Sequence, residues 1–590
     1  MNQPWVRTAL ALSVFAAVFI TLTVTSYRQE SATWDEPQHL IAGYTALKFH
    51  DYRTDPEHPP FLRMWAALPL LARHDIKMEV RVIDKVDPLA WIGTVQFEFC
   101  HGFLYVMNDA DRLLYPARFM IVLLGVLLGI LLFCWTREFL GFAPALIVLA
   151  LYTMEPNILA NSSLVTTDFG VTCFAFGTIY FLWRTARKLT PANLCGLIGF
   201  FTLAQISKFT AILLGPVVLL LLVARVCQRT PWRGSFGHSG ELAGMGRKTL
   251  AGLAIFVALS LTAWLAIWAS YGFRFLPSAS NTWKMDFPAD PSMQDRVPGI
   301  ARVVGWADDH RLLPNAYLQG FFVTQAKAQV RGGFLAGQYS VQGWWYFFPL
   351  AFLIKTPVSV IVLFLGGLFL CAERRGGFFR DDLYALLSIA GFLGPAMAAK
   401  LNIGLRHILP IYPFVLLLAG KAVAKLWYTK RRPLQGLLGA LCLLAVGELA
   451  SVAPHYLAFF NRFVGGPRNG YKYLVDSSLD WGQDLKGLKG WMDENHVQHI
   501  NLSYFGTADP AYYKIHCTHL PGAPFFDEKF VAPPELPGLV AVSATNLRGV
   551  YFTERWRDFY KPLSDTTPVV VIGYSIYVYQ VERPWWQEPP

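Results

Sequence analysis

Charged residues are scarce in this sequence. Only 15% of the 590 residues are Asp, Glu, Lys or Arg, whereas hydrophobic residues make up 54%. Soluble chains carry about 25% charged residues, so the composition excludes intrinsic disorder and argues against a soluble enzyme. The net charge of +11 would suggest a nucleic acid partner in a soluble protein. Here the basic residues flank apolar runs, which favours membrane lipids and no nucleic acid.

Cysteine is also rare, with 8 residues in the whole chain. Most of them lie in or beside apolar runs, and only Cys100 and Cys517 fall in segments that we predict to lie outside the cell membrane. The two could form a disulfide in an oxidising compartment. Their spacing in the sequence leaves open whether they are close enough to pair.

Long apolar runs are abundant. A helix needs about 20 mostly apolar residues to cross a bilayer, and the sequence predicts about eleven spans. The runs are 7–26, 117–135, 139–154, 168–183, 193–207, 209–225, 249–270, 350–372, 383–399, 408–427 and 434–453. The first run could be a cleaved signal peptide, but its length and the polar TSYRQE that follows favour a retained anchor. The predicted fold class is a polytopic α-helical membrane protein.

The basic residues predict the orientation of these spans. Short cytoplasmic loops collect Lys and Arg, and a cytoplasmic N-terminus makes every inner loop basic. Those residues are Arg137, Arg184, Arg187, Lys188, Arg225, Arg229, Arg233, Arg247, Lys248, Arg374, Arg375, Arg380, Lys430, Arg431 and Arg432. An odd number of spans then places the loops 27–116 and 271–349 outside. The sequence therefore predicts a membrane domain at 1–453 and an outer-face domain at 454–590.

Residues 454–590 have a different character, because charges and turn residues return. The runs HINLSYF, GLVAVSA and PVVVIGYSIYVYQV are typical of strands, and DLKGLKGWMDE before them favours a helix. We predict a small α/β domain. A role in stability and a role in gripping substrate both stay open, since fold alone does not decide function.

Carboxylates stand where predicted spans meet the outer surface. Asp35 and Glu36 follow the first span, and Asp168 begins the fourth, with Glu155 earlier in the same loop. Charged residues at such depths are costly and therefore informative. They could act as a general base, bind a cation or cap a helix.

Cations are predicted at the same depth. Arg63 lies in the stretch FLRMWAALPLLA, which is too short to span and suits a helix in the membrane interface; alternatively Arg63 only snorkels to the surface. Together with Arg63, three further residues are predicted to bind a phosphate group: Lys208, Arg406 and His407. Arg forms bidentate hydrogen bonds with phosphate oxygens, and Lys binds them as a point charge.

A cofactor is not identified by the sequence. Glu57, His58 and His407 could contribute to a divalent metal site. These residues lie on distant loops, so their spacing alone does not define a metal site.

The motifs WDEPQHL, EHPPFLR, TTDFG, SKFTAILLGP and LRHILPIYPF together resemble the bacterial relatives of protein O-mannosyltransferases and of the lipid A aminoarabinose transferase. These are C-class glycosyltransferases, of family 39 type, that use polyprenyl-phosphate sugars. The stretch DSSLDWGQDLKGLKGWM at 476–492 is similar to one found in many bacterial members with an outer C-terminal domain.

The resemblance implies roles for particular residues. Asp35 matches the acidic residue proposed as catalytic base, Glu36 its neighbour and Asp168 the second acidic position. Arg406 and His407 resemble a cationic pair near the donor phosphate. Arg63 stands where many relatives have Lys, a departure that keeps the charge but changes the geometry of phosphate contact.

The predicted function is transfer of a sugar from a polyprenyl-phosphate donor to an acceptor, which could be a protein hydroxyl, a lipid or a glycan, on the outer face of the cell membrane. The competing hypothesis is a lipid or solute transporter or flippase, which would place charges near the middle of its spans and show related halves. A third hypothesis is a non-catalytic scaffold, in which the acidic residues would be dispensable.

Overall fold

The structure is a computed structural model that describes residues 4–234, 240–279, 284–373, 381–522 and 533–586. Three basic residues of one predicted inner loop, Arg374, Arg375 and Arg380, lie outside the described residues. The helices of the first half are α1 (Pro4–Tyr27), α2 (Glu36–Phe49), α3 (Phe61–Ala67), α4 (Pro88–Ala90), α5 (Gln96–His101), α6 (Ala110–Leu140), α7 (Phe142–Thr153), α8 (Pro156–Asn161), α9 (Asp168–Arg187), α10 (Pro191–Gln205), α11 (Leu214–Cys227) and α12 (Met245–Ser270).

The second half continues the helical pattern and then adds strands. Its helices are α13 (Pro291–Gln294), α14 (Pro298–Asp309), α15 (Asn315–Lys327), α16 (Phe347–Lys355), α17 (Val358–Glu373), α18 (Asp382–Ala398), α19 (Tyr412–Trp427), α20 (Arg432–Ala450), α21 (Leu485–Glu494), α22 (Ala544–Leu547) and α23 (Lys561–Ser564). Short 3₁₀ helices include Leu68–Ala72, Phe209–Leu213, Leu405–Ile411 and Asp476–Ser478.

A helix lies at each of the predicted apolar runs, which confirms the helical membrane fold. Among the described residues, 6 helices are long and apolar enough to cross a membrane, or up to 7 if the bent pair α16 and α17 forms one span. The helices α7, α9, α10 and α18 are not in that set. The predicted number of about eleven spans is therefore not confirmed.

Burial separates central from peripheral helices. The candidate span Leu405–Trp427, which contains α19, is 94% buried in its apolar window, whereas the window of the first span is only 17% buried. Apolar side chains that stay exposed on a long helix suit a lipid environment, since lipid tails are as apolar as the side chains themselves. The helix α9 is also buried along nearly its whole length, so α9 and α19 form the centre of the bundle.

The bend between α16 and α17 has a local cause. The two helices meet at 118°, and the break falls at Thr356, directly before Pro357. A residue before proline is pushed out of the helical conformation. Asn461 supplies the lost hydrogen bonds, since its Nδ2 donates to Thr356 O at 2.8 Å and its backbone N–H donates to Ile354 O at 2.9 Å.

Within the first loop, α2 packs closely against α3. Gly43 of α2 allows this, because a Cβ at that position would lie 2.0 Å from the carbonyl oxygen of Arg63. The stretch predicted as an interfacial helix is helical, as α3 followed by the 3₁₀ helix Leu68–Ala72. Leu62 of α3 in turn packs against Gly170, near the start of the central helix α9.

The strands are β1 (Trp232–Arg233), β2 (Glu241–Leu242), β3 (Gly333–Leu335), β4 (Gln338–Ser340), β5 (Ile500–Ser503), β6 (Cys517–His519), β7 (Gly538–Ser543), β8 (Val570–Ile572) and β9 (Ile576–Val581). The C-terminal part contains a five-stranded sheet of these, in the order β6-β5-β7-β9-β8. The strand β5 pairs in parallel with β6 and β7, and β9 pairs antiparallel with β7 and β8. The predicted strand runs contain all of these except β6, and the predicted helix is α21.

The cysteines are all free thiols. Cys100 is buried and Cys517 is partly buried, and neither forms a disulfide. The pairing that the sequence left open is therefore not formed in the structure.

Candidate active site

Asp35 lies at the start of α2, but it does not cap the helix. Its side chain makes no capping hydrogen bond; instead its Oδ2 accepts a hydrogen bond from Arg406 Nη1 at 2.6 Å. The capping alternative for Asp35 is therefore wrong. Its side chain is 23% exposed, so a substrate can reach this carboxylate.

Asp168 is the first residue of α9, and two cations contact its carboxylate. Lys208 Nζ lies 2.5 Å from Oδ1, and Arg406 Nη1 lies 3.7 Å from Oδ2. The N-cap position belongs to Thr167, so Asp168 is not an N-cap. Arg406 joins Asp35 and Asp168 into one cluster. We call Asp35, Asp168, Lys208 and Arg406 the ion cluster.

The ion cluster is neutral as a set, because it holds two carboxylates and two cations. Pairing offsets the high cost of taking ions out of water. The guanidinium of Arg406 still has spare donors, since Arg carries five N–H groups and its buried Nε has no hydrogen-bond partner among the described residues. The cluster therefore keeps a donor for an incoming anionic group.

His407 lies beside the ion cluster, in the 3₁₀ helix Leu405–Ile411. Lys208, Arg406 and Asp168 all act on it electrostatically. Its ring meets Phe348 edge-on, with centroids 6.3 Å apart, and its Nε2 is buried without a partner in the part of the chain that the structure describes. The structure thus brings His407 together with the two carboxylates and two cations predicted at this depth.

Glu36 is adjacent to Asp35 in sequence but faces a different partner. Its fully buried carboxylate accepts from Arg118 Nη2 at 2.6 Å and Nε at 2.9 Å. The backbone N–H groups of Thr33 and Val165 donate to it as well. Burial alone would raise its pKa, but the Arg118 guanidinium holds the pKa of Glu36 below its usual range. The saturated carboxylate favours a structural role over the predicted catalytic one.

Arg63 binds within the first loop rather than to the ion cluster. Its Nη1 lies 3.0 Å from Asp55 Oδ2, and its guanidinium also donates to the carbonyl oxygens of Asp55 and His58. His39 Nδ1 lies 2.7 Å from the same Asp55 oxygen. Although burial raises it, Arg63 and His39 hold the pKa of Asp55 well below its usual range. These contacts favour a clamp on the loop, and phosphate binding by Arg63 stays a prediction.

The candidate metal ligands are not gathered into one site. Glu57 pairs with Lys327 at 2.6 Å, whereas His58 lies against the ring of His39 and His407 lies at the ion cluster. Burial lowers the pKa of His58 well below its usual value, which keeps this imidazole neutral. Within the described ranges, no group of three or more His, Cys, Asp or Glu is placed to hold a metal ion.

The sequence did not assign Trp481 to the site, although it lies in the DSSLDWGQD motif. Its ring centroid is 4.1 Å from Arg406 Cζ, and its carbonyl oxygen accepts a hydrogen bond from the backbone N–H of Trp34 at 2.9 Å. The motif was the available signal, but a motif alone does not say which residue its Trp contacts.

A second charged group beside the ion cluster was also missed. Tyr551 donates a hydrogen bond to the carboxylate of Asp476, and Arg331 Nε lies 3.3 Å from the Tyr551 hydroxyl. Asp476 acts electrostatically on Arg406, and Asp35 acts on Arg331. Asp476 begins the DSSLDWGQD motif, but Arg331 and Tyr551 lie far from it in the sequence, so only the fold reveals the group.

Residues 102–268 match the family model described as "Dolichyl-phosphate-mannose-protein mannosyltransferase". No curated protein matches the chain. Among solved structures, the protein O-mannosyltransferase Pmt1-Pmt2 complex of S. cerevisiae bound to the sugar donor has a TM-score of 0.48 and 10% identity, over 77% of this chain and 90% of that one.

Two further structures are similar at lower scores. The apo oligosaccharyltransferase of Archaeoglobus fulgidus has a TM-score of 0.43 and 14% identity, over 94% of this chain and 71% of that one. ArnT from Cupriavidus metallidurans bound to undecaprenyl phosphate has a TM-score of 0.28 and 13% identity, over 98% of both chains. Over residues 102–268, the family match confirms the predicted resemblance to protein O-mannosyltransferases.

Proposed function

We propose that the protein transfers a sugar from a polyprenyl-phosphate donor to an acceptor hydroxyl at the outer face of the cell membrane. The observation that carries the proposal is the ion cluster, in which a reachable carboxylate, Asp35, contacts a cation with spare donors, Arg406. A dolichyl-phosphate sugar, named in the matching family's description, is a donor of this chemical class.

The proposed reaction is a single displacement. The acceptor oxygen attacks the anomeric carbon, and its proton passes to Asp35 acting as general base. The bond between the anomeric carbon and the phosphate oxygen breaks, and its electron pair stays on the phosphate. The products are an inverted glycoside and polyprenyl phosphate, whose added negative charge Arg406 and Lys208 stabilise.

Donor binding also prepares the base. Arg406 Nη1 lies 2.6 Å from Asp35 Oδ2, so one carboxylate oxygen is occupied. A phosphate group competes for the same guanidinium, because Arg binds phosphate oxygens strongly. Moving the guanidinium towards the phosphate frees the Asp35 oxygen to accept the proton. Asp168 then keeps Lys208 in place at 2.5 Å.

The orientation and the domain division belong to the same proposal. The basic loops support a cytoplasmic N-terminus, a membrane domain at 1–453 with about eleven spans, and an outer-face domain at 454–590. The acceptor is a protein, lipid or glycan that reaches the outer surface. Transport is the less favoured function, because Lys208, which pairs with Asp168, directly precedes the candidate span Phe209–Cys227, whereas a transporter site is expected near the middle of its spans.

Reconstitution tests the function directly. The purified protein is placed in liposomes with a panel of radiolabelled polyprenyl-phosphate sugars and an extract of cell-envelope acceptors, and labelled products are separated from the donor. We expect one donor to yield a labelled acceptor and free polyprenyl phosphate in equal amounts. Movement of intact donor across the bilayer without cleavage would instead support a flippase.

A further inference from the structure

The segment 476–484 lies between the two parts of the chain that supply the Asp35–Arg406 pair. On one side, the carbonyl oxygen of Trp481 accepts from the backbone N–H of Trp34, which directly precedes Asp35. On the other side, Ser478 Oγ accepts from the N–H of Leu405, which directly precedes Arg406, at 3.2 Å. The segment is therefore fixed to both neighbours of the pair through hydrogen bonds.

The indole of Trp481 lies against the guanidinium of Arg406. Trp481 is 2% exposed, and Arg406 Cζ lies 4.1 Å from the centroid of its ring. Trp is the best aromatic partner for a cation, and the attraction is stronger where water is excluded. Arg suits this contact because its planar group stacks on aromatic faces.

Arg406 needs such a support. One nitrogen, Nη1, contacts both Asp35 and Asp168, while Nε has no partner among the described residues. Because both contacts are made through one nitrogen, they leave the plane of the guanidinium free to rotate. A flat ring underneath fixes that plane, and with it the direction in which the remaining N–H groups point.

We propose that Trp481 is a positioning residue that fixes the plane of the Arg406 guanidinium beside Asp35, so that the C-terminal part of the chain helps to build the reaction site. The inference rests on the proposed function, since it assigns Trp481 to the donor-phosphate side of that site. A ring that only filled the core would stabilise the fold without affecting Arg406.

The test compares Trp481→Leu and Trp481→Phe with Trp491→Leu, a control on α21 in the same part of the chain. Binding of undecaprenyl phosphate is measured on the full-length protein. We expect Trp481→Leu to weaken binding by about 3- to 30-fold, the range of a buried cation–π contact, and Trp481→Phe to have a smaller effect. Trp491→Leu should bind as the wild type does.

A double-mutant cycle separates positioning from simple packing. If Trp481 acts through Arg406, Trp481→Leu should cause almost no further loss of binding in Arg406→Ala protein. If the fold losses of binding in the two single variants multiply in the double variant, the two residues act independently and the proposal is overturned. If Trp481→Leu does not fold, the same cycle is made with Trp481→Phe.

A second readout keeps this test separate from the proposed function. The same cycle on the midpoint of thermal unfolding needs no substrate. Wild-type protein that neither binds polyprenyl phosphate nor transfers sugar would contradict the proposed function. In that case, a shift of the unfolding midpoint in the double variant that differs from the sum of the two single shifts would still support the Trp481–Arg406 contact. A shift equal to that sum would overturn it.

Discussion

At the scale of single residues, Arg406 is the centre of the site because it contacts both carboxylates through one nitrogen. Its distances to Asp35 and Asp168 are 2.6 and 3.7 Å. Lys208 contacts only Asp168. Removing Arg406 therefore changes the surroundings of both acids, whereas removing Lys208 changes one.

The first prediction concerns donor binding by Arg406. A hydrogen bond to a charged group contributes about 1.5 to 3 kcal/mol, so Arg406→Ala should weaken polyprenyl-phosphate binding by roughly 10- to 150-fold. Arg406→Lys should recover only part of this loss, since Lys lacks the paired donors. Equilibrium binding of labelled polyprenyl phosphate in detergent measures the effect.

Arg73→Ala is the matched control, because Arg73 is exposed in part and pairs with the exposed Asp75. It should bind donor lipid as the wild type does. Wild-type affinity in folded Arg406→Ala protein would remove Arg406 from the donor site.

The sequence predicted the residue types at the site better than their partners. Asp35, Asp168, Lys208 and Arg406 were all expected at one membrane depth, because the ends of spans have a fixed depth. Glu36 could not be told apart from Asp35, since the two are adjacent. The two carboxylates differ because Arg118, on the distant helix α6, pairs with that of Glu36.

At the scale of elements, the segment that contains Asp480 joins the C-terminal sheet to the membrane part. Asp480 is fully buried, and its Oδ2 accepts from the backbone N–H of Thr545, in the helix α22 that follows β7, at 2.7 Å. Its Oδ1 has no partner among the described residues. Burial, helped by the negative charges of Asp484 and Asp476, raises the pKa of Asp480 to about 8.

The second prediction follows from this raised pKa. Between about pH 4 and about pH 8 the folded chain holds a proton on Asp480 that the unfolded chain has lost, so stability should fall as the pH rises through that window. Asp480→Asn keeps the shape and removes the titration, which should flatten the dependence. Thermal unfolding midpoints of both proteins from about pH 5 to about pH 9 measure the difference.

Asp493→Asn serves as the control, because Asp493 is exposed on α21. Its midpoints should follow those of the wild type at every pH. Parallel curves for the wild type and Asp480→Asn would show that Asp480 does not carry a proton in the folded state within this window.

The elements themselves were largely predictable, and their bends and pairings were not. Apolar periodicity marks helices without regard to context, so helices lie at the predicted runs. The break between α16 and α17 depends on Pro357 and on its distant partner Asn461. Strand β6 was missed because Cys517–His519 is too short for a pattern.

At the scale of the whole molecule, the site and the C-terminal part lie on the same side of the helical bundle. Trp481 contacts Arg406, and its carbonyl oxygen binds the backbone beside Asp35. If the site faces outwards, the C-terminal part must do so as well. The orientation therefore decides whether the acceptor is found outside the cytoplasm.

The third prediction tests that orientation. A reporter that is active only outside the cytoplasm should be active when fused after residue 590 and inactive when inserted near residue 230. The reason is that the predicted inner loops are basic. Activity near residue 230 with none at the C-terminal fusion would reverse the orientation and move the proposed site to the cytoplasmic face.

The base role of Asp35 is tested most directly by the turnover of purified Asp35→Asn protein. The substitution keeps the size of the side chain but removes the basic carboxylate, so turnover should fall by about 10² to 10⁴. Donor binding should persist, because Arg406 loses a competitor for the phosphate. Asp75→Asn, at an exposed carboxylate, should transfer sugar at the wild-type rate. Transfer by Asp35→Asn at the wild-type rate would contradict the assignment of Asp35 as the base and leave Asp168 as the remaining carboxylate of the ion cluster.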